Sequence, residues 1–377
     1  MAHNDRQPLL RIHYRDPQDG WEGIAVVDTL VDGVAAGGVR VSRTTSAEEV
    51  VRLAQTMTLK TRAMGLPLGG AKFGLRYDPT CPRKVDALTR FFRHILPMCR
   101  SMIGFGPDMN TSPDELDEVA RRIGLRTRHT ALAENSRNGY ENVARYDAAL
   151  RTKVGPLTVL EARTGVGVWA AAEKTARSLG LRAPYRVVIQ GFGQVGSGTA
   201  WFAQEAGHKV IGIADLGGFY SNENGFDIHD LTCRRGKDRL LDPGQLSPNV
   251  HRADPAGWLT QDCDILVLAA NSNALTREHA DRVAAKIVIE GGNLAVAPDA
   301  ELLLHQRGIP VVPDFLVNGG AIGIVSGIIQ LGWDTSTADV LLSKLREHIA
   351  MALDHLDQNP SNRSLTLRHA AQLSLLE

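Results

Sequence analysis

Between Arg186 and Asp215 the chain reads Arg186-Val-Val-Ile-Gln190, Gly191-Phe192-Gly193-Gln194-Val195-Gly196, a helix-like run from Thr199, and Lys209-Val-Ile-Gly-Ile-Ala-Asp215. A short β-branched strand enters a glycine turn, the turn opens a helix, and a second strand ends in an acid nineteen residues after Gly196. Few folds accept that order except a parallel βαβ unit. The first glycine permits the tight turn, the second lets a pyrophosphate approach bare backbone, and the third lets helix pack on strand. Free N–H groups and the positive end of the helix dipole favour phosphate there. A carboxylate at Asp215 can hold both hydroxyls of an adenosine ribose and would repel a 2′-phosphate. Leu216-Gly-Gly-Phe-Tyr220 brings no Lys or Arg close behind it, so NAD is favoured over NADP.

Strand and helix patterns alternate from Tyr185 to about Asp314, as in a parallel sheet with crossover helices. Two later strands end in Ala269-Ala270-Asn271 and in Glu290-Gly-Gly-Asn293. Ligands of doubly wound sheets sit off the carboxyl ends of strands, which makes Asn271 and Asn293 candidates for a ribose or a carboxamide. Ordinary turn chemistry accounts for them equally well.

The first half carries a different signal. Leu66-Pro-Leu-Gly-Gly-Ala-Lys72 places a lysine on a glycine-rich turn, and Lys60 lies twelve residues upstream, closing an apolar, helix-periodic stretch. One lysine can hold a carboxylate while a second, crowded and desolvated, does proton chemistry. Ser46-Ala-Glu-Glu49 has the form of a capping box opening that helix. Further helical patterns lie around 82–98 and 112–123, and residues 126–158 turn polar and irregular, as a flap or an insertion would.

At 377 residues two domains are expected. The 42 basic and 42 acidic side chains cancel, which gives no reason to expect nucleic acid or membrane partners. Cys81, Cys99, Cys233 and Cys263 have neither disulfide nor metal-ligand spacing; with no apolar leader, they read as reduced cytoplasmic thiols. Phe315–Trp333 is an uncharged run of nineteen residues, but five are glycine, and a buried glycine-rich helix fits better than a membrane span.

Taken in order, Ala36-Gly37-Gly-Val-Arg, Met57-Thr-Leu-Lys60, Gly69-Gly-Ala-Lys72, Gly106-Pro-Asp108, Thr164-Gly-Val-Gly, the Gly191 fingerprint, Glu290-Gly-Gly-Asn293 and Pro313-Asp-Phe-Leu-Val-Asn318-Gly-Gly resemble the Glu/Leu/Phe/Val dehydrogenase family. The resemblance implies a two-domain α/β fold with an active-site cleft. An N-terminal α/β substrate domain spans residues 1–160, joined by C-terminal helices from about 320, and a Rossmann-type NAD-binding domain spans 165–318. The implied reaction is reversible oxidative deamination of an L-amino acid to a 2-oxo acid and ammonia, by a homo-oligomer. In that likeness Lys60 holds the substrate α-carboxylate, Lys72 is the catalytic lysine, and Asp108 shuttles protons at the amino nitrogen. Thr164 and Asn293 contact the cofactor with the fingerprint residues, and Asn318 lies beside both ligands. The tail helix, Ala338–Leu356, is expected to return to the first domain or to the hinge.

Departures bear on the substrate. Glutamate-specific members carry a lysine where Ala36 stands, and a serine where Val325 or its neighbour Ser326 aligns. A buried γ-carboxylate without a counter-ion is costly. An apolar substrate, branched-chain or aromatic, is therefore expected, lined by Ala36, Gly37, Gly106, Ile322 and Val325. Two alternatives are glutamate held through Arg137, Tyr140 or Arg145 of the 127–157 stretch, and a catalytically lapsed NAD-binding homologue. Phe73, Met109-Asn110, Gly319-Gly320-Ala321 and Ile328 also depart from the family pattern.

Overall fold

The computed structural model describes residues 7–234, 240–357 and 365–376. Its backbone divides into two units: the chain up to Asp147 with Val325–Trp333, and Ala148–Ile324 with the chain from Asp334 onward.

The first unit begins with β1 (Leu10–Arg15), β2 (Glu22–Val27), β3 (Ala35–Ser42), α1 (Ala47–Ala63) and β4 (Gly69–Arg76). It continues through α2 (Lys84–His94), α3 (Leu96–Ser101), β5 (Ile103–Pro107), α4 (Pro113–Arg122), α5 (Thr130–Glu134) and α6 (Gly139–Ala149). The sheet order is β1-β2-β4-β3-β5, with β3 parallel to β4 and β5 and the outer pair antiparallel. Alternate residues of a strand face opposite sides. Phe73 therefore enters an aromatic core with Phe92 and Phe105, at ring-centroid distances of 5.3 and 6.4 Å, while Lys72 is left to the other face. The departure at Phe73 is a packing residue.

Two local expectations change. Ser46 Oγ accepts the Glu49 N–H at 3.2 Å, but the Glu49 carboxylate pairs with Arg40 instead of closing a capping box. A complete box stands at α4, between Ser112 and Glu115. The polar stretch after Arg126 contains two helices, α5 and α6, whose polar groups find partners within the unit. Asn142 and Arg145 donate to the carbonyls of Ile329 and Trp333, at 3.2 and 2.8 Å. Tyr140 donates to Glu134 beneath the Arg126 guanidinium, and Arg137 is exposed.

The second unit contains the hairpin β6 (Lys153–Val154) and β7 (Leu157–Thr158), α7 (Val159–Ser178), β8 (Arg186–Gln190), α8 (Gln194–Glu205) and β9 (Lys209–Asp215). Next come β10 (Gly218–Ser221), α9 (Ile228–Cys233), β11 (His251–Ala253), α10 (Gly257–Thr260), β12 (Ile265–Leu268), α11 (Arg277–Ala280) and β13 (Ile287–Glu290). The chain closes through α12 (Pro298–Gln306), β14 (Val311–Val312), α13 (Asp314–Val317), α14 (Gly320–Ile329, shared with the first unit), α15 (Ala338–Asp357) and α16 (Leu367–Leu376).

The order β11-β10-β9-β8-β12-β13-β14 gives a sheet whose last five strands are parallel. The expected alternation breaks once. Only two residues separate β9 from β10, too few for a crossover, so β10 folds back antiparallel and β11 pairs with it. The C-terminal helices also differ from expectation, since both group with the second unit. Lys174 of α7 donates to Ala350 O of α15 at 2.7 Å, and Arg368 binds α16 to buried carboxylates of the sheet unit. No helix among the described residues is long and apolar enough to cross a membrane; the Phe315–Trp333 run is broken at Asn318 into α13 and α14.

Candidate active site

Register places the first group of reactive side chains. A Cβ on Gly70 would stand 2.3 Å from Thr58 N, so only glycine lets β4 abut α1 there. Lys72 and Lys60 each follow that contact by two residues, which gives the twelve-residue spacing a physical origin. Both lysines are buried, Lys60 on the last turn of α1.

Asp108 follows β5 directly. Its N–H donates to Thr111 Oγ1 at 3.0 Å, and the Thr111 hydroxyl donates to Val39 O at 2.8 Å. Asn110 takes φ +61° and donates to Val41 O, which explains the departure at Met109-Asn110, because asparagine tolerates that left-handed position. The result puts Lys72 Nζ 2.8 Å from Asp108 Oδ2. Arg40 Nε donates to the same oxygen at 3.0 Å, and Arg40 Nη1 meets Glu49 at 2.5 Å. Gly38 is packed under the pair: a Cβ there would lie 2.8 Å from Asp108 Cβ and 3.1 Å from Lys72 Nζ.

Burial alone would raise the Asp108 carboxyl. The Lys72 ammonium and then the Arg40 guanidinium overcome it and hold the group well below the usual carboxylate range. Asp108 Oδ1 has no hydrogen-bond partner among the described residues, so one acceptor stays open for a substrate nitrogen. Sequence reasoning paired Lys72 with Asp108 and missed Arg40. A charged side chain in the apolar strand Val39-Arg40-Val41 was the available signal. Arg40→Gln is expected to lower kcat about tenfold. With one cation removed, the Asp108 carboxyl rises, so activity on the acid side is lost at a higher pH than in the parent. Paired kcat/KM–pH profiles check the direction.

The proposed substrate-lining residues divide. Ala36, Gly37 and Val325 are buried in the first unit, Gly106 there is half-buried, and open space lies before it. Ile322 and Asn318 fall in the second unit. Ser326 is buried and donates to Gln330 Oε1 at 2.6 Å, while Gln330 donates to Pro67 O.

In the second unit the glycine fingerprint stands where β8 meets α8. Gly191 has φ +94°, and a Cβ on Gly196 would lie 1.9 Å from Gly191 O. Nothing lies within 4 Å of a Cβ on Gly193, and α8 begins without a side-chain cap, so its first N–H groups face an open approach suited to a pyrophosphate. Phe192 is buried, Val195 packs near Gly291, and Gln194 donates its amide to Leu160 O at 2.5 Å, which leaves its side chain engaged within the protein. Ala269 and Ala270 line the Gly191 turn, Asn271 is exposed after β12, and Thr164 is buried in α7. Asp215 Oδ1 and Oδ2 accept the N–H groups of Gly217 and Leu241, each at 2.7 Å. Arg252, which sequence reasoning missed, donates to Gly217 O at 2.8 Å.

Asn318 Nδ2 donates to Gly291 O at 3.1 Å and to Asn293 Oδ1 at 3.3 Å. Its Oδ1 is buried without a partner among the described residues, an acceptor that the amide N–H of a nicotinamide would satisfy. The residues present therefore fit a dinucleotide.

The dimerisation-domain model of the Glu/Leu/Phe/Val dehydrogenases matches residues 10–124, and the model of Glutamate/Leucine/Phenylalanine/Valine dehydrogenase matches residues 155–374. The NADP-specific glutamate dehydrogenase of Saccharolobus shibatae is 32% identical over 82% of this chain and 70% of its own. The NAD-specific glutamate dehydrogenase of Staphylococcus aureus is 30% identical over 98% of this chain and 88% of its own. A hetero-hexameric glutamate dehydrogenase from Thermus thermophilus, solved in a Leu-bound form, superposes with a TM-score of 0.75 at 25% identity, covering 98% of this chain and 87% of its own. Matches across both halves, at this coverage, show that the chain belongs to the Glu/Leu/Phe/Val dehydrogenase family and is an NAD(P)-dependent amino acid dehydrogenase.

Proposed function

We propose that the protein catalyses reversible, NAD-linked oxidative deamination of L-glutamate to 2-oxoglutarate and ammonia, as a homo-oligomer. The observation that carries the chemistry is the 2.8 Å pair of Lys72 and Asp108 with one Asp108 oxygen open. Lys60 anchors the α-carboxylate and Asp108 takes the proton from the substrate amino group. A dinucleotide held at Gly191–Gly196 and Asn318 would supply the acceptor for the Cα hydride. Lys72 then activates water against the resulting imine, and Asp108 returns a proton to the departing ammonia.

Glutamate is preferred over the apolar substrate expected from the sequence because the curated relatives named above are glutamate dehydrogenases. Loss of the lysine at position 36 removes one way of holding a γ-carboxylate and does not forbid another contact. The 127–157 stretch offers little, since Arg145 and Tyr140 are already engaged. A second reading, an apolar substrate, is favoured by the buried Ala36 and Val325 and by the engagement of Ser326 with Gln330. NADH formation against a panel of L-amino acids separates them. Glutamate turnover supports the first; turnover confined to branched-chain or aromatic amino acids supports the second and overturns the first.

NAD is preferred because Asp215 ends β9 where a ribose would lie. Asp215→Asn is expected to shift the ratio of NADP to NAD kcat/KM upward about tenfold, the worth of one charged hydrogen bond. An unchanged ratio removes Asp215 from cofactor choice. Oligomerisation is supported by the dimerisation-domain match and by the hexameric Thermus thermophilus relative.

A further inference from the structure

Arg368 of α16 pairs with three carboxylates at once: Glu290 at the end of β13, Glu301 of α12 at 2.7 Å and Asp314 at the start of α13 at 3.3 Å. All three acids are buried. Two of them also grip backbone. Glu290 accepts the N–H groups of Val296 and Asp314, at 2.6 and 3.1 Å, and Asp314 Oδ2 accepts the N–H of Leu294 at 3.2 Å. These bonds lie on the two segments that carry Asn293 and Asn318. Leu294, next to Asn293, has φ +50°, a left-handed conformation that a side chain such as leucine adopts at a cost. Strain of that kind persists only where its surroundings over-determine it, and here the Asp314 carboxylate supplies one constraint.

We propose that Arg368 is a positioning residue for the dehydrogenase reaction: through Glu290 and Asp314 it sets the placement of Asn293 against Asn318, and thereby the orientation of a bound nicotinamide. The inference rests on the dehydrogenase function argued above. A guanidinium suits the task because its planar fork can serve several acceptors, which a single ammonium cannot do in the same geometry. The charges in the cluster also leave it poised. Burial pushes the Glu290 carboxyl up to about 7 against the pull of Arg368, with Asp314 and Glu301 adding to the rise. Arg368 opposes that rise, and removing it disturbs both segments together.

The test compares full-length R368Q and R368K with the parent in three readings: NADH dissociation constant by fluorescence, kcat, and the primary deuterium isotope effect on kcat with 2-deuterated substrate. Both variants are expected to fold. NADH binding and kcat should weaken about tenfold in R368Q, with R368K between it and the parent, and the isotope effect should rise as misplacement slows hydride transfer. Parent values of all three readings in folded R368Q overturn the proposal, as does a drop in melting temperature with an unchanged dissociation constant and isotope effect. If R368Q does not fold, R368K and E301Q carry the same readings. Failure of all three variants to fold assigns Arg368 a structural role and overturns it too. Absence of amino-acid-dependent NAD reduction by the parent would defeat the proposed function instead, and the NADH comparison would still judge Arg368.

Discussion

Lys72→Ala is expected to lower kcat by roughly 100- to 10,000-fold, the range for removing a positioned acid–base group. The side chain is buried on β4, and its ammonium is one of two cations on Asp108 Oδ2. Its loss acts twice. No lysine amine remains to take a proton from water, and the Asp108 carboxyl, relieved of its stronger cation, rises toward the ordinary range and holds its proton at higher pH. Arg40 still neutralises Asp108, so the first unit should stay folded and the melting temperature should move by only a few degrees. The measurement is kcat for the best substrate in the panel, beside a thermal unfolding curve. Turnover within twofold of the parent would remove Lys72 from the mechanism.

Gly196→Ala should damage the second unit by overpacking. The added Cβ would lie 1.9 Å from the carbonyl oxygen of Gly191, which is backbone and cannot rotate away. Either α8 moves off β8 or the Gly191 turn opens, and both disturb the N–H groups offered to the pyrophosphate. A core overpacked in this way loses about 3 kcal/mol, which for a unit of this size is roughly 6–12 °C of melting temperature. NADH binding should weaken by more than tenfold, since the phosphate site itself is distorted. Calorimetry with and without NADH reads both effects. An unchanged melting temperature with full NADH stabilisation would mean that the turn has room the structure does not show.

Features legible in the chain before folding were those written in local chemistry. The strand–glycine turn–helix unit at 186–205 is a matter of φ angles and missing side chains, and it stands where the residue order demands. The acid at the end of β9 and the lysines twelve residues apart were equally readable, because turn residues and short spacings encode their own geometry. The helices after Arg126 were not. Their polar side chains look like loop, and only the carbonyls of Ile329 and Trp333, nearly two hundred residues on, show what satisfies Asn142 and Arg145.

The same reason separates the two lysines from the two arginines. Lys72 could be found from Gly69-Gly-Ala-Lys, but the partner of Arg40 lies sixty-eight positions away in Asp108. The partners of Arg368 lie fifty-four to seventy-eight positions away on three different elements. A charge in a sequence states its sign and reach, and nothing about which opposite charge the topology will bring to it. By itself, then, the sequence determined the family and the parallel cofactor sheet, and it named Lys72 and Asp108 as candidates, through motifs whose backbone conformations only certain residues allow. Tertiary structure alone decided where the C-terminal helices dock, that β10 turns back on β9, and which buried acids the arginines hold, because those outcomes depend on contacts between segments far apart in the chain.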